Sequence, residues 1–287
     1  MRKLGVGVLI LAAAGPGGCR RSADVIIPYG RENNSGTYMY FKEHVLGEED
    51  FAAHVQTLPG TAAVINAVSR DRRSIGYGGV AYLRGVRVLK VRKDVASPAL
   101  EPTLENVVRG TYPISRSLFF YTAGDPEGAV RHFVDWARGP EGQKVCQDVG
   151  YFPLPEERRT TVGEPPPGRH TITVKGSDTM VILGGRWAES YMRRYPDLVI
   201  QITGGGSGTG IKALIDGETH ICMASRPMRP AERKMVRDRC GKDPVEIPVA
   251  LDGVTVFVHE ANPLREITLE KLKGIYTGKI RTWGELN

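Results

Sequence analysis

The sequence predicts an α/β protein built as two lobes, with mainly parallel sheets. Segments of strand character alternate with segments of helical pattern, which is typical of parallel sheets covered by helices. The alternation stops at one charged, proline-rich stretch, residues 156–169, and restarts after it. A chain of 287 residues is long enough for two lobes of roughly 130 residues, each with its own apolar core.

The part of the chain before the proline-rich stretch opens with a short apolar strand, residues 25–27, and a polar loop, residues 30–37. A helix is predicted from residue 37 to residue 46. Further elements follow in order: a helix at 61–69, a glycine-rich strand and turn at 74–82, a strand at 118–121, and a helical pattern within 126–149 that has Phe133, Trp136 and Ala137 on one face.

The stretch at 156–169 is the one clear linker, because it combines charged residues with Pro165-Pro166-Pro167-Gly168. The pattern after it repeats a strand, a short loop and a helix. The predicted elements are a strand at 172–174 with loop 176–179 and a helix to 194, a strand at 198–202 with loop 204–209 and a helix to 215, and a strand at 221–224 that ends at Ser225-Arg226.

The chain is basic, with 39 Lys and Arg against 32 Asp and Glu, a formal net charge of +7. Such a charge suits a nucleic acid, an anionic membrane or a small anionic ligand. The basic residues are scattered, and the densest cluster, residues 226–239, also contains Glu232 and Asp238. We therefore expect no nucleic-acid partner.

Residues 1–23 are predicted to be a signal peptide of lipoprotein type. Arg2 and Lys3 precede an apolar run at 5–14, which is too short to span a bilayer, since about 20 apolar residues are needed. Gly17-Gly18-Cys19 resembles a bacterial lipoprotein cleavage site, although Pro16 fits that site poorly. Lipidation of Cys19 would anchor the exported protein to a membrane, and secretion without a lipid is the alternative.

The other three cysteines are Cys146, Cys222 and Cys240. An exported protein permits a disulfide, and Cys222 with Cys240 is the only pair that is close in sequence. The sequence has no C-x-x-C, and its six histidines show no metal-ligand spacing. We expect neither a metal nor a cofactor.

Three loops carry a pattern that indicates anion binding: residues 31–37, 176–179 and 204–209. Each is rich in Gly, Ser or Thr and lies between a strand and a helix. Free backbone N–H groups and the dipole at a helix start attract anions, and hydroxyls add donors. Ser and Thr are also ordinary helix N-caps, so one loop alone is weak evidence. Three such loops, with Arg31 four residues before Ser35, favour a tetrahedral oxyanion.

Catalytic interpretations fail on specific residues. Residues 205–210 have phosphate-loop spacing, but Ile211 stands where a lysine is required and Ala213 replaces Ser or Thr. A nucleophile elbow needs G-x-S-x-G, but Thr209 and Thr37 stand two residues after the candidate serines. We therefore expect no enzymatic activity.

Several motifs together resemble the periplasmic phosphate-binding protein of the Pst-type ABC transporter, a type II periplasmic binding protein. They are YGRENNSGT at 29–37, PEGQ at 140–143, GSDTM at 176–180, GGGSGTG at 204–210, ASRP at 224–227, and IYTGKI at 275–280 with Trp283. The resemblance covers residues 25–154 and 172–287. It implies two α/β lobes, each with a mixed sheet flanked by helices, joined by a hinge.

The order of the motifs is circularly permuted relative to that family, whose members begin with the Gly-Ser-Asp-Thr half. The resemblance then implies a split lobe, residues 24–111 plus 257–287, and a continuous lobe, residues 112–256, that contains the linker. Hinge strands are expected near residues 112–121 and 248–259, with the linker joining the family's usual ends.

The resemblance also implies the site. The phosphate-binding residues carried over are Arg31, Ser35, Gly36, Thr37, Ser177, Thr179, Ser207, Gly208 and Ser225. Arg31 would fork onto two phosphate oxygens; a salt bridge of Arg31 with Glu32 or a nearby acid is the alternative.

One departure concerns the carboxylate with which some relatives accept the proton that phosphate keeps at neutral pH. Arg226 stands at the position where one branch has that acid, so Asp178 and Asp252 are the candidate proton acceptors. Asp178 is alternatively a helix N-cap, and Asp252 a turn residue before Gly253.

The implied function is binding of inorganic phosphate between the lobes and its delivery to the permease subunits of an ABC importer. The protein is expected to be a monomer in the periplasm or at the cell surface, anchored through Cys19. Alternatives are a phosphate-responsive or scavenging lipoprotein without a transport role, binding of another tetrahedral oxyanion, and a phosphatase-like hydrolase.

Overall fold

The structure, a computed structural model, describes residues 24–81 and 83–286. The predicted leader and Cys19 lie outside the described residues. Within the described part, no helix is long and apolar enough to cross a membrane. The described residues form two five-stranded sheets and one two-stranded sheet, with helices packed on them.

The strands are, in chain order, β1 (Ile27–Arg31), β2 (Gln56–Leu58), β3 (Ser74–Gly78), β4 (Val86–Val88), β5 (Lys90–Arg92), β6 (Ser115–Ala123), β7 (His170–Gly176), β8 (Leu198–Thr203), β9 (Ile221–Ala224), β10 (Pro244–Gly253), β11 (Thr255–His259) and β12 (Glu266–Thr268).

The helices are α1 (Gly36–His44), α2 (Gly60–Val68), α3 (Leu104–Val108), α4 (Gly128–Arg138), α5 (Pro140–Val149), α6 (Val181–Arg194), α7 (Ser207–Ile215), α8 (Pro230–Cys240) and α9 (Leu269–Tyr276), with 3₁₀ turns at Glu156–Arg158 and Trp283–Leu286.

The two large sheets are mixed. One sheet has the order β2-β1-β3-β11-β4, in which β11 runs antiparallel to both neighbours; it takes strands from both ends of the described chain, and we call the part built on it the split lobe. The other has the order β10-β6-β9-β7-β8, in which β6 runs antiparallel to β9 and β10, and we call the part built on it the continuous lobe. The strand-helix alternation predicted mainly parallel sheets. It missed the antiparallel strands because β6, β10 and β11 adjoin the passages between lobes rather than forming strand-helix units.

Two adjacent passages connect the lobes. One leads from α3 through residues 112–114 into β6, and the other is Val254, between β10 and β11. They bond to each other: the Tyr112 hydroxyl donates to the Val254 carbonyl at 2.9 Å, and the Val254 N–H donates to the Ile114 carbonyl at 2.9 Å. Passages fixed side by side form a compact joint about which two lobes can close.

Each lobe has its own core. In the split lobe, the rings of Phe41 and Tyr77 stack with centroids 3.8 Å apart, and Tyr276 meets them edge-on. In the continuous lobe, Trp187 and Phe120 are fully buried and pack edge to face. Each large sheet thus carries its own buried apolar clusters, in agreement with the two lobes expected from chain length.

The helical pattern predicted within 126–149 is two helices, because Gly139 ends α4 and Pro140 is the first residue of α5. Proline is tolerated there since the first helical N–H has no intrahelical partner. Residues 156–169 are not a free tether. The Thr160 hydroxyl donates to the Asp135 carbonyl on α4 at 2.7 Å, and Val162 packs on the core of the continuous lobe.

The first and last described segments lie side by side. The Ile26 N–H donates to the Arg281 carbonyl at 2.8 Å, and the Trp283 N–H donates to the Asp24 carbonyl at 2.9 Å. Strand β1 therefore continues spatially from the segment that follows α9.

The disulfide considered between Cys222 and Cys240 is absent from the described residues, in which both cysteines are free thiols. Cys222 is buried, and burial raises the pKa of its thiol. The Cys240 thiol points at the carbonyls of Leu214 and Ile215.

Candidate functional site

Five hydroxyl-bearing residues meet between the two lobes, and none exposes more than 2% of its surface. They are Thr37, Ser177, Thr179, Ser207 and Ser225. Thr37 belongs to the split lobe and the other four to the continuous lobe. We call this group the hydroxyl cluster.

The cluster is connected by short contacts. Ser177 Oγ donates to Ser225 Oγ at 3.0 Å, and the Ser225 N–H donates to Ser207 Oγ at 3.1 Å. Across the lobes, Thr37 Oγ1 and Thr179 Oγ1 are 2.9 Å apart. A Cβ on Gly36 would lie 2.3 Å from Ser207 Oγ and 2.5 Å from Ser225 Oγ, so only glycine permits this approach.

The loop before α1 brings Gly36 and Thr37 to the cluster. Ser35 is the N-cap of α1, and its hydroxyl accepts from the N–H groups of Thr37 and Tyr38. The capping alternative therefore holds for Ser35, whose O–H hydrogen remains available for donation. The cap thus holds two of the first N–H groups of α1, while Gly36 lies against Ser207 and Ser225.

The loop before α7 is shaped by glycine. Gly205 and Gly206 have φ of +114° and +91°, a region that other residues rarely adopt. This turn brings the Gly206 Cα against the Asn34 carbonyl, since an added Cβ would come within 2.8 Å of that oxygen. Ser207 is consequently the first residue of α7, so this helix begins inside the loop predicted at 204–209 rather than after it.

Asn34 fastens the two loops together. Its side-chain Nδ2 donates to the Gly205 carbonyl at 2.9 Å, and its carbonyl accepts from the Gly208 N–H at 3.0 Å. The structure thus places the Gly208 amide, carried over as a phosphate donor, on Asn34. The sequence analysis assigned no role to Asn34, because a carbonyl contact across 174 positions leaves no local pattern.

Arg31 is the last residue of β1 and is fully buried. Its guanidinium donates to both carboxylate oxygens of Glu32, to Thr61 Oγ1 at 3.1 Å and to Asp178 Oδ2 at 3.2 Å. The salt bridge with Glu32 that was considered as an alternative is therefore formed, in a buried rather than a surface setting. A guanidinium carries five N–H groups, so these four bonds leave one N–H on Nη1.

Asp178 lies at the meeting of the lobes. Oδ2 accepts from Arg31 of the split lobe, and Oδ1 accepts from the Gly205 N–H at 2.8 Å. Asp178 is not the N-cap of α6, which is Met180. Its carboxylate therefore makes one contact between lobes, to Arg31, and one within its own lobe, to Gly205, and does not cap its own helix.

Asp252 is fully buried in β10 rather than in a turn. Both Nε and Nη2 of Arg116 donate to its Oδ2, at 2.9 and 2.7 Å, and the Val80 N–H donates to Oδ1 at 2.9 Å. Arg116 also donates to Thr37 Oγ1 at 3.0 Å and to the Ser225 carbonyl at 2.9 Å.

Arg116 belongs to none of the motifs and was not predicted as a site residue. It lies in the segment expected to form a hinge strand, followed by Leu118 and Phe120 at every second position. Alternating residues of a strand share one face. A charged residue in register with two buried apolar residues was the sign that Arg116 points into the interior.

The buried positive charges beside the cluster are compensated by carboxylates. Arg31 and Arg116 are buried, and each has a carboxylate partner. Burial disfavours ionised Glu32, but hydrogen bonds and attraction from Arg31 prevail and lower the pKa of Glu32. Burial raises the pKa of Tyr40, over whose ring Arg116 lies, to about 12. Within the described residues, no cluster of His, Cys, Asp or Glu is placed to hold a metal ion.

Two α/β lobes joined by adjacent passages, with donors converging between them, define a two-lobe binding protein of the periplasmic type. The chain belongs to the PBP superfamily domain family, whose sequence model matches residues 22–141 and 161–286.

Individual relatives are more specific. The chain is 28% identical over 293 residues to the phosphate-binding protein PstS 2 of Streptococcus agalactiae, covering 98% of this chain and 94% of that one. It is 35% identical over 119 residues to the phosphate-binding protein PstS of Pseudomonas aeruginosa, covering 39% and 37% of the two chains. A crystal structure of a phosphate ABC transporter phosphate-binding protein from Streptococcus pneumoniae matches with a TM-score of 0.68 and 25% identity, covering 92% of this chain and 100% of that chain.

Proposed function

We propose that the protein binds inorganic phosphate between its lobes and delivers it to an ABC-type phosphate importer. The observation that carries the proposal is the hydroxyl cluster, in which donors from both lobes lie within hydrogen-bonding distance of one another while buried from water. Hydroxyls, a helix start and a buried arginine recognise a tetrahedral oxyanion. The names of the relatives support phosphate as that oxyanion.

The residues proposed to bind phosphate are of three kinds: the hydroxyls of the cluster, the Ser35 hydroxyl with the N–H groups of Gly36 and Thr37, and the Arg31 guanidinium. The Thr37 N–H now donates to Ser35 Oγ and must leave it to reach the ligand. The Gly208 N–H joins them only when it leaves the Asn34 carbonyl, to which it now donates. Of the two candidate proton acceptors, we favour Asp178. Each of its oxygens has one donor, whereas Asp252 Oδ2 already accepts two N–H groups from Arg116.

We propose that binding occurs without turnover. A serine nucleophile needs an adjacent base, but Ser207 and Ser225 bond each other and backbone groups instead. The nearby carboxylates are held by arginines. A chromogenic phosphoester should therefore release no product in excess of a buffer blank, and release that disappears in Ser207→Ala would contradict this.

The lobes are proposed to be residues 24–111 plus 257–287 and residues 112–256, in a circularly permuted order. Thr255 and Val256, at the end of the second range, already pair with β3 in the sheet of the split lobe, so the passage at Val254 is the better boundary. The adjacency of residues 24–26 to residues 281–283 supports the permutation, because chain ends that can be exchanged must lie close together. Export, lipidation at Cys19 and a monomeric state belong to the same proposal. Mass spectrometry of the membrane fraction tests the lipid, and sedimentation tests the monomer.

The test of function is calorimetric titration of the mature protein with phosphate, sulfate, arsenate and molybdate. One-to-one binding of phosphate is expected, together with a higher melting temperature. Binding to the native state alone stabilises by about 2.7 kcal/mol at a hundredfold excess over the dissociation constant. No heat and no thermal shift at millimolar phosphate would refute phosphate binding. Loss of phosphate uptake on deletion of the gene tests delivery.

A further inference from the structure

We propose that Arg116 is a positioning residue that keeps the hydroxyl of Thr37 aimed at the bound anion and screens that anion from Asp252. The inference rests on the proposed anion-binding function and adds a residue that the motifs of the sequence do not mark. Arg116 would act through Thr37 and Ser225 rather than by touching the ligand itself.

The contacts of Arg116 define a junction of three parts of the molecule. Its side chain is 1% exposed and that of Asp252 is 0% exposed. The two residues are direct partners in the pairing of β6 with β10, next to the passages between lobes. From there Arg116 reaches the Ser225 carbonyl in its own lobe and Thr37 Oγ1 in the other. One guanidinium thus hydrogen-bonds Asp252 beside the passages, Ser225 in one lobe and Thr37 in the other.

The bond to Thr37 has a fixed direction. A guanidinium only donates, so Thr37 Oγ1 must accept from Nη2. The hydroxyl hydrogen of Thr37 is thereby directed away from Arg116. Thr179 Oγ1 lies 2.9 Å from Thr37 Oγ1 on the interlobe side. An arriving oxyanion accepts hydrogen bonds, and it meets a Thr37 hydroxyl already oriented to donate.

Arg116 prevents Asp252 from competing with the anion for the hydroxyl hydrogens of the cluster. Nη2 of Arg116 bonds Asp252 Oδ2 at 2.7 Å and Thr37 Oγ1 at 3.0 Å, so it stands between carboxylate and hydroxyl. Asp252 and Thr179 also flank Gly79, whose added Cβ would meet Thr179 Cγ2 at 2.9 Å and Asp252 Oδ2 at 3.2 Å. Without the arginine, a carboxylate beside these hydroxyls would draw their hydrogens toward itself and repel an anion.

The test combines the neutral pair replacement Arg116→Gln with Asp252→Asn, the substitution Thr37→Val, and all three together. Phosphate affinity is measured by calorimetry and folding by thermal melting. If Arg116 acts through Thr37, Thr37→Val should cost much less affinity in the pair-replaced protein than in the wild type. For coupled residues, the affinity loss of the combined variant differs from the product of the single losses by roughly 2- to 150-fold. We expect a difference of at least about fivefold here.

Arg116→Gln alone should weaken phosphate binding by at least about 30-fold, because it leaves Asp252 buried and unpaired. Where the pair replacement fails to fold, Arg116→Lys supplies the same comparison with Thr37→Val, since lysine keeps the charge but not the fork. The pair of buried Arg226 with Glu232, whose side chain is 21% exposed, is the control. Replacing both of its members by Gln should alter stability without coupling to Thr37.

The positioning role would be overturned if the affinity loss of each combined variant equals, within about twofold, the product of the losses caused by Thr37→Val and by the Arg116 variant alone. Coupling of equal size in the Arg226 and Glu232 control would overturn it as well, because any buried pair would then behave alike. Failure of the wild-type protein to bind phosphate is a separate result, which refutes the proposed function instead.

Discussion

The hydroxyl oxygens of Thr37 and Thr179 lie 2.9 Å apart, although the two residues are 142 positions apart in the chain. Thr37 is at the start of α1 in the split lobe, and Thr179 precedes α6 in the continuous lobe. Two hydroxyls at hydrogen-bonding distance can both donate to one small acceptor placed beside them. The pair therefore marks the place where both lobes meet the same ligand.

Replacing Arg31 by Ala should weaken phosphate binding by about 100-fold or more. The side chain is fully buried, and removing one partner of a desolvated charge contact typically costs about 3–5 kcal/mol. Titration calorimetry measures the effect. Arg31→Lys, which keeps a charge but loses the planar fork, should bind with intermediate affinity. A loss below about fivefold for Arg31→Ala would show that the residue is peripheral, as exposed pairs are.

Gly36→Ala should impair binding while leaving the split lobe folded. The added Cβ would lie 2.3 Å from Ser207 Oγ and 2.5 Å from Ser225 Oγ in the other lobe, so these hydroxyls must turn away from the cluster or the lobes must separate. Overpacking costs about 1–3 kcal/mol, or about 5- to 150-fold in affinity.

Gly185→Ala is the matched control for Gly36→Ala, because an added Cβ there meets nothing within 4 Å. Alanine inside helix α6 should stabilise by about 0.5–1 kcal/mol and leave affinity unchanged. Equal affinities for the two alanine variants would contradict a close approach at Gly36. Thermal melting of both proteins, without ligand and with phosphate, separates folding from binding.

The ion pair between Arg229 and Glu43 should contribute modestly to closure of the lobes. Arg229 Nη2 lies 3.2 Å from Glu43 Oε1 across the lobes, with side chains 44% and 27% exposed. Exposed pairs contribute about 0.2–1 kcal/mol, which corresponds to at most about fivefold in affinity. A double-mutant cycle with Glu43→Gln and Arg229→Gln measures the coupling. It should vanish at 1 M salt, where the screening length is about 3 Å; coupling that persists there would contradict a solvent-screened pair.

His132 should make stability depend on pH. Its Nε2–H donates to the Gly163 carbonyl at 3.2 Å, so the neutral ring accepts from the Tyr191 hydroxyl through Nδ1 at 2.6 Å. Burial lowers the pKa of His132 below 6.5, against the opposing effects of the Gly163 carbonyl, Asp135 and Glu164. The unfolded chain then binds the proton more readily. The stabilisation is full above about pH 6.5 and is lost as pH falls through the folded-state pKa.

Chemical unfolding between pH 7.5 and 5 measures this effect of His132. His132→Gln keeps a donor for Gly163 but does not titrate, so its stability should fall less with decreasing pH than that of the wild type. Subtracting the two curves removes the contribution of His54, whose pKa is also lowered by burial. Parallel curves for the two proteins would mean that His132 does not carry the dependence.

Replacing Pro165-Pro166-Pro167 by Gly-Ser-Gly should change phosphate affinity by less than about threefold, because the change keeps the length of the loop, on which closure entropy depends only slowly. The linker residues that hydrogen-bond α4 are Arg158, Thr160 and Gly163, which this change keeps. Val162→Ala is the comparison, since Val162 packs on the core: it should lower the melting temperature but not affinity. A large loss of affinity in the Gly-Ser-Gly variant would show that the linker shapes the cleft.

Local sequence patterns were sufficient to predict the loops of the site. Glycines with positive φ at 205 and 206, and a serine at the start of α1, follow from backbone sterics and from capping within a few residues. The hydroxyl cluster consists of residues that the motifs mark. The motifs also mark Arg31, but its position at the end of β1 and its bond to Asp178 could not be predicted from neighbouring residues.

Sequence patterns alone therefore identify the donor-bearing loops, the helix starts beside them and the resemblance of their motifs to the binding proteins. The partners that hold those donors come from the packing of the two lobes: Arg116 bonds Asp252 and Thr37, Gly208 bonds Asn34, and Asp178 bonds Arg31. Capping and turn geometry depend on neighbouring residues and so leave a local pattern. A hydrogen bond between lobes depends on how two strands and two passages bring distant residues together, and no periodicity of the chain records that distance.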